Sequence, residues 1–305
     1  MVCSLLGGCY TRRNIAFSFI LFATCLVMST NNIISNYNNV WKNTFGTITC
    51  LERYNPSTLG SNQRPYIFIG TLSGKLYRFW DGNENQVQAD SILLNPSLSS
   101  SINGISCSPD GTFMFINTLS HCYKYSMTDV INTSDGGTLT SLQDIYTRGG
   151  NTGGTVVDTQ QNVYVVGDNG NSIYYMNNFG STGSPTLLTQ FPLPGVLIMR
   201  DLDFDLDERF LYATEYRTGQ IWRYDFENPQ LGLQPSIVFG SNTGVSSASF
   251  GNTGILYFNY LTLNFIENYN FSSLTVTKTA GGSNVFSTDP LQQMLVNPRS
   301  VYELS

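Results

Sequence analysis

The chain has 305 residues, of which 41% are apolar, 13% are aromatic and only 12% are charged, and its formal net charge is −6. This apolar and aromatic content excludes a disordered chain. The 15 basic residues are outnumbered by 21 acidic ones, with no basic run longer than Arg12-Arg13. The charge balance therefore argues against nucleic-acid binding, which uses Lys and Arg to displace phosphate counterions.

The N-terminus has the layout of an export signal. Arg12 and Arg13 precede an apolar run over residues 15–28, and the polar residues Ser29 to Asn32 follow. A basic region, a short apolar region and a small residue are typical of a secretory signal. The apolar run is short for the roughly 20 residues that span a bilayer, and an uncleaved anchor is the alternative. We predict a signal or short anchor over residues 1–30 and a secreted or endomembrane-lumenal chain, which contacts membrane only through an uncleaved anchor.

Short apolar runs recur along the rest of the chain. Their first residues are 47, 50, 47 and 45 positions apart, at Tyr66, Phe113, Val163, Phe210 and Ile255. Each run is followed, after a polar turn in which Gly or Asn is common, by a second run; these begin at Lys75, Cys122, Ser172, Gln220 and Asn264. Gly and Asn are the residues that tight turns between strands require. Each repeat therefore contains two clear strands, with a weaker strand on either side.

A repeat of four antiparallel strands is a propeller blade. No repeat carries an apolar stripe of helical period and length, which argues against the helical repeats of similar size. Five repeats extend from about residue 46 to residue 284, and residues 293–296 and 300–304 predict two strands of a sixth. Residues 37–42 could supply its outer strand. We predict an all-β fold over residues 31–305: a single β-propeller with six four-stranded blades, five being the alternative.

Two segments carry a resemblance to known families. Residues 102–115 read INGISCSPDGTFMF, and residues 200–212 read RDLDFDLDERFLY. Both resemble the blade motif of the gluconolactonase and senescence-marker-protein superfamily, which also contains strictosidine-synthase-like proteins. Residues 246–258 and 291–305 are similar to the royal-jelly and yellow protein family. Both families are six-bladed propellers, so the resemblance implies the same fold.

The resemblance to lactonases also implies a divalent cation, held in the central pore by a Glu, two Asn and an Asp. Such oxygen ligands suit Ca²⁺ or Mg²⁺. Asn103, ten residues before Phe113, matches the family's Asn-Gly motif, but the same offset gives Gly153 and Arg200 in later repeats. Glu52 is the candidate for the Glu, although an insertion obscures its alignment. Asn103 and Glu52 are thus the candidate metal ligands; the departures favour no cofactor, with Ca²⁺ or another divalent cation as the alternative.

Acidic and apolar residues alternate from residue 201 to residue 208. On a strand this pattern places Asp201, Asp203 and Asp205 on one face. Ca²⁺ binding is one interpretation, but Leu206 stands where an EF-hand loop requires Gly. The alternative is that the end of the run forms a turn while a neighbouring arginine, Arg200 or Arg209, pairs with the carboxylates.

Three functions are compatible with these patterns. The first is an exported non-catalytic propeller that binds a small molecule or a protein partner at the pore mouth or top loops, through Asn103, Arg200, Asp201 and Asp203. The second is a cation-dependent hydrolase of lactones or esters, and the third is a structural scaffold. The only histidine, His121, lies in a turn with no Gly-x-Ser-x-Gly motif nearby, so no catalytic triad is indicated. Asn103 could also simply begin a turn before a glycine.

Three cysteines follow the predicted signal: Cys50, Cys107 and Cys122. Cys107 and Cys122 are the nearest pair and the candidate disulfide, and the alternative is that all three are small buried residues. Two N-x-S/T sequons, at Asn132 and Asn270, are candidate glycosylation sites in an exported chain.

Overall fold

The computed structural model describes residues 48–54, 66–80, 90–96, 101–147, 150, 153–180, 184–192, 198–215, 217–238, 245–250, 255–260, 265–270 and 275–281. The predicted export signal and the segments predicted to complete a sixth blade lie outside these residues. In the part of the chain that the structure describes, no helix has the length and apolar character needed to cross a membrane.

The described residues form five sheets, each built on four antiparallel strands, which are five blades. Blade 1 contains β1 (Ile48–Tyr54), β2 (Tyr66–Thr71), β3 (Leu76–Trp80) and β4 (Asp90–Asn95). Blade 2 contains β5 (Ile102–Cys107), β6 (Phe113–Thr118), β7 (His121–Ser126) and, after a short insertion, β9 (Gln143–Thr147). Blade 3 contains β10 (Thr155–Val157), β11 (Val163–Gly167), β12 (Ser172–Met176) and β13 (Thr186–Gln190).

Blade 4 contains β14 (Met199–Phe204), β15 (Phe210–Glu215), β16 (Gln220–Asp225) and β17 (Leu233–Val238). Blade 5 contains β18 (Val245–Phe250), β19 (Ile255–Tyr260), β20 (Phe265–Asn270) and β21 (Thr275–Gly281). Along the ring β1 lies beside β5, β5 beside β10, β10 beside β14, and β14 beside β18. The predicted strand pairs and the four-stranded blades are confirmed, and the total of six blades stays a prediction.

The second strands of blades 1 to 4 are buried on both faces, along which their side chains alternate. In β6, Met114 and Ile116 pack against blade 1, whereas Phe115 between them packs against blade 3, and none of the three is exposed. A third apolar cluster fills the space between blades 3 and 4. Burying a side chain of this size stabilises a fold by roughly 1.5–3 kcal/mol, so the interfaces between blades hold the ring together.

The connection between β7 and β9 forms a strap that the sequence did not predict. It contains a short helix, α1 (Met127–Asn132), and a three-residue strand, β8 (Thr138–Thr140). β8 pairs in parallel with β4 and so adds a fifth strand to the outer edge of blade 1. Leu139 at the centre of β8 is buried in the core between blades 1 and 2. The strap therefore fastens blade 2 onto blade 1.

A buried arginine on β3 fixes the end of this strap. The guanidinium of Arg78 donates to the carbonyl oxygens of Val130, Ile131 (2.7 Å) and Thr133 (2.8 Å), and it forms an ion pair with Asp90. These carbonyls are at the C-terminal end of α1, where backbone acceptors lack helical partners and a cation is favourable. One side chain thus satisfies the helix end and joins it to blade 1.

The predicted disulfide between Cys107 and Cys122 is wrong. Both are free thiols, as is Cys50. Cys107 lies on β5 opposite Met114, and Cys122 lies on β7 opposite Asn117. The intervening strand β6 separates the two backbones by about two strand spacings, roughly 9.5 Å, which is beyond the reach of a disulfide. Cys50 and Cys122 instead occupy buried positions between blades, as the alternative interpretation expected.

Candidate functional site

The inner strands share a local irregularity at the end where they begin, which we call the upper face. The strand pairing skips one residue in β1, β5 and β18, and in β14 it leaves Arg200 and Asp201 opposite the single residue Thr214. Such β-bulges re-aim side chains and are common near functional sites. The pairing gives one equivalent position in these four strands, occupied by Thr49, Asn103, Arg200 and Ser246. The predicted equivalence of Asn103 and Arg200 is therefore confirmed by the register.

The register also aligns Glu52 with the residues of the other inner strands, an alignment that the sequence alone did not give. Glu52 pairs with Phe68, the third residue of β2, and Asp203 pairs with Tyr212, the third residue of β15. Glu52 is therefore level with Asp203, three residues deeper along its strand than the position of Asn103. The corresponding residues of blades 2 and 3 are Ser106 and Thr155.

Asp201 follows Arg200 and lies against the neighbouring blade. The amide of Leu202 donates to its Oδ1 (3.0 Å), and its own amide donates to the hydroxyl of Thr214 (3.0 Å). A Cβ added to Gly154 of blade 3 would come within 2.4 Å of this Oδ1. Only glycine at this position therefore leaves room for the carboxylate of Asp201. Burial raises the pKa of Asp201 to about 8; the charge of Asp203 adds to this rise and that of Arg200 opposes it.

Glu52 approaches the same centre from blade 1. Its Oε1 accepts a hydrogen bond from the amide of Cys107 (3.0 Å). Burial raises the pKa of Glu52 to about 8, the hydrogen bond from Cys107 opposes this rise, and the charges of Asp203 and Asp201 add to it. The strands β1 and β14 are not neighbours in the ring, yet their carboxylates act on one another. The carboxyl groups of Glu52, Asp201 and Asp203 therefore lie within electrostatic range of one another near the axis of the ring, with Arg200 beside Asp201.

Asn103 occupies the same level of the ring as Arg200. Its side chain is buried, with 7% exposed, and its Oδ1 accepts a hydrogen bond from the hydroxyl of Ser101. The next residue, Gly104, lies where a Cβ would meet the backbone of Gly154 at 2.8 Å. Asn103 is thus held in the bulge of β5 rather than in a turn.

The acidic run divides between the two ends of blade 4. Asp201 and Asp203 lie near the ring axis, whereas Asp205 closes the turn at the far end by accepting a hydrogen bond from the amide of Phe210 (2.9 Å). Glu208 accepts hydrogen bonds from the amide and hydroxyl of Thr159 in blade 3. The turn interpretation is therefore correct for the end of the run.

The predicted arginine pairing is only partly correct. Arg209 does form ion pairs, but with Asp225 (3.3 Å) and Glu227 (3.0 Å) of the next turn rather than with the run itself.

These residues do not fit a divalent cation. Among the described residues no group of three or more His, Cys, Asp or Glu side chains is placed to hold a metal. At the position equivalent to Asn103, blade 4 has Arg200, whose guanidinium repels a metal cation. Glu52 lies at a different level, and one of its oxygens is engaged by a backbone amide. The ligand set implied by the lactonase resemblance is therefore not assembled here.

Glu215 is a functional candidate that the sequence reasoning missed. It is fully buried at the end of β15, on the upper face. Its carboxylate accepts hydrogen bonds from the amides of Ile198 (3.3 Å), Arg217 (2.7 Å) and Thr218 (2.6 Å). It thereby orders both the β15–β16 turn and the residues just before Arg200. In the sequence, a glutamate beside a polar turn carries no signal that it will be buried and bound to backbone amides.

Other predicted positions lie away from the axis. His121 Nδ1 pairs with Asp144 Oδ2 (2.6 Å) on the outer strand β9, and its ring stacks on Tyr123. Asn132 is exposed at the end of α1, and Asn270 is the last residue of β20. Glycosylation at these two asparagines stays a prediction.

Comparison with known proteins shows the fold. No protein family and no curated protein matches the chain. A Bacteroides thetaiotaomicron protein of unknown function has a TM-score of 0.58, with 13% identity over 78% of this chain and 59% of that one. The extracellular domain of a putative one-component system from B. thetaiotaomicron has a TM-score of 0.55, with 17% identity over 83% of this chain.

A third similar structure is virginiamycin B lyase from Staphylococcus aureus, with a TM-score of 0.52 and 15% identity over 76% of this chain and 69% of that one. The present chain spans 31% of the length of the one-component-system protein. At these identities the likeness concerns architecture alone, and with the five sheets it shows that the chain is a β-propeller.

Proposed function

We propose that this chain is an exported, non-catalytic β-propeller that binds a small ligand at the upper mouth of the ring axis. Asn103, Arg200, Asp201 and Asp203 would contact the ligand. The observation that carries the proposal is the register of the inner strands, which places Asn103 and Arg200 at one level and brings Asp203 and Glu52 to a second, deeper level. Polar groups converging from separate blades are typical of a binding site.

The charge balance indicates the chemistry of the ligand. Three carboxylates, those of Glu52, Asp201 and Asp203, interact near the axis and are opposed by one nearby guanidinium, that of Arg200. Carboxylates that repel one another in a partly desolvated place are stabilised by a bound positive charge. The ligand we favour is therefore an organic cation, or a zwitterion whose anionic end meets Arg200.

A metal-dependent lactonase is the alternative that this geometry supports less well, because its expected cation site is interrupted by Arg200. Export is supported by the layout of the N-terminal sequence, and one similar structure is an extracellular domain. Glycosylation of Asn132 would fit both export and the exposure of this side chain.

The proposal is tested by screening the full-length chain in a thermal-shift assay against organic cations, zwitterions, lactones and esters. A ligand that binds the axis should raise the melting temperature of the wild type, and Arg200→Gln should remove this shift. Arg209→Gln is the matched control, because Arg209 lies at the far end of the same blade and should leave the shift unchanged.

The same screen separates binding from catalysis. Each stabilising compound is followed by NMR with and without a chelator. The proposal expects no turnover and no effect of the chelator on binding. Conversion of a lactone or ester that stops when the metal is removed would instead establish the hydrolase.

A further inference from the structure

The last residue of the second strand closes the turn that follows it on the upper face. In blade 1, the hydroxyl of Thr71 accepts a hydrogen bond from the amide of Lys75 (3.0 Å). In blade 2, the hydroxyl of Thr118 accepts one from the amide of His121 (3.1 Å). Strand pairing places both threonines opposite the first residue of their inner strand, so the two positions are equivalent. Each of these hydrogen bonds stays within a single turn.

Glu215 occupies the same position in blade 4, opposite Met199, and joins two segments of the chain. Its Oε2 accepts hydrogen bonds from the amide (2.6 Å) and the hydroxyl of Thr218. Its Oε1 accepts one from the amide of Arg217 (2.7 Å) and one from the amide of Ile198 (3.3 Å), the residue just before β14. One side chain therefore ties the β15–β16 turn to the start of the inner strand.

The choice of residue at this position is informative. Threonine closes the same turn in blades 1 and 2 with a neutral hydroxyl. Closing the turn therefore does not by itself require a carboxylate, and a fully buried carboxylate is costly unless its oxygens are hydrogen-bonded. A glutamate has the longer side chain and two oxygens, each of which accepts more than one hydrogen bond. The contact that distinguishes Glu215 from Thr71 and Thr118 is the one to Ile198.

The start of β14 is irregular where it carries Arg200. Arg200 and Asp201 lie opposite the single residue Thr214, so regular pairing does not fix their backbone. The carbonyl oxygen of Arg200 accepts a hydrogen bond from the amide of Gly154 in blade 3 (2.9 Å), and the amide of Asp201 donates to the hydroxyl of Thr214 (3.0 Å). These two bonds hold the backbone that follows Arg200, and the bond from the Ile198 amide holds the backbone that precedes it.

We infer that Glu215 is a positioning residue for Arg200. By tying Ile198 to the β15–β16 turn, it fixes where β14 begins and hence the direction in which the guanidinium leaves the bulge. Groups that bind a ligand must be held within about 0.5 Å of their place by supporting residues. The inference rests on the proposed function, in which Arg200 contacts the ligand; Glu215 would act through the backbone and not touch the ligand itself.

The substitution Glu215→Asp separates the two tasks of this side chain. Aspartate keeps the charge and accepts readily from amides two and three residues later, but it is one methylene shorter and should not reach Ile198. In NMR hydrogen exchange on the full-length chain without ligand, the Ile198 amide should lose protection about tenfold or more. The amides of Arg217 and Thr218 should keep theirs. The Nε–Hε signal of Arg200, assigned with Arg200→Gln, should shift or broaden.

Thr118→Val is the matched control, because it opens the corresponding turn of blade 2 and should leave the Arg200 signal unchanged. An Arg200 signal that does not move in Glu215→Asp, or that moves equally in both variants, would overturn the inference. If Glu215→Asp does not fold, the wild type decides: an Ile198 amide protected to the same degree as that of Thr218 supports the inference, and an unprotected one contradicts it.

This test is independent of the search for a ligand. A thermal-shift screen without a stabilising compound would argue against the axial binding site and would leave the positioning of Arg200 by Glu215 intact. An unmoved Arg200 signal would instead disprove the positioning and leave the result of the screen unaffected. Failure of the inference and failure of the proposed function are therefore distinguishable.

Discussion

At the scale of single residues, burial disfavours the charged form of the carboxyl groups near the axis. Burial raises the pKa of both Glu52 and Asp201 to about 8, far above their ordinary values of 4.5 and 3.8. A folded protein that tolerates such groups gives up stability at neutral pH, and residues of this kind concentrate at functional sites. Nothing in the local sequence shows this, because the repulsion arises between blades.

This cost predicts how stability depends on pH. The folded state binds protons at Glu52 and Asp201 more tightly than the unfolded state does, so these groups favour folding most at low pH. Their contribution is lost as pH rises from about 4 to about 8, at about 1.4 kcal/mol for each pKa unit. Glu52→Gln should therefore be more stable than the wild type at pH 8 and nearly equal to it at pH 4.5, as measured by urea denaturation.

Asp225 supplies a control of opposite sign. A hydrogen bond from Asn228 and the charge of Arg209 lower the pKa of Asp225. Its stabilising effect is present above its ordinary pKa and is lost as pH falls through its lowered pKa. Asp225→Asn should consequently show no gain of stability at pH 8. A gain in both variants, or in neither, would contradict the assignment of raised pKa values to the axial carboxyls.

At the scale of structural elements, the strap between β7 and β9 is the feature that makes blades 1 and 2 a unit. Its helix end and its strand both depend on blade 1, through Arg78 and through the pairing of β8 with β4. Arg78 has a side chain only 7% exposed, so its removal leaves buried carbonyl groups and Asp90 without their cation.

Arg78→Met should lower the free energy of unfolding by about 3 kcal/mol or more, because the carbonyl oxygens of Val130, Ile131 and Thr133 lose their charged donor. Arg78→Lys should recover only part of this loss, since an ammonium cannot reach the same set of acceptors. Arg209→Met removes an exposed pair and should cost at most about 1 kcal/mol. Urea denaturation of the three variants decides: equal losses for Arg78→Met and Arg209→Met would contradict the role of the strap.

The elements that could be predicted from the sequence are those with a local signal. The runs beginning at Tyr66, Phe113, Val163 and Phe210 are strands buried on both faces, and turn residues separate each from the next run, so their pattern is continuous and repeated. The helix α1 has six residues, too few for a visible helical period. β8 pairs with a strand about 45 residues earlier. Cys107 and Cys122 are near in sequence, but an intervening strand separates them.

At the scale of the whole molecule, the axial site is formed by residues from several blades rather than by any single blade. The constant register of the repeats made the equivalence of Asn103 and Arg200 predictable. The insertion before β2 hid the register of Glu52, and only the arrangement of the blades around a common axis brings Glu52 towards Asp203.

The central claim is that the acidic run over residues 201–208 contributes Asp201 and Asp203 on β14 to ligand binding, whereas Asp205, which follows β14, belongs to the turn. Calorimetric titration of the most stabilising small ligand into wild type, Asp203→Asn and Asp205→Asn tests it directly. We predict that Asp203→Asn weakens binding about tenfold or more. Asp205→Asn, which only loosens the turn before Phe210, should bind as the wild type does. Unchanged affinity in Asp203→Asn, or an equal loss in both variants, would contradict the axial site.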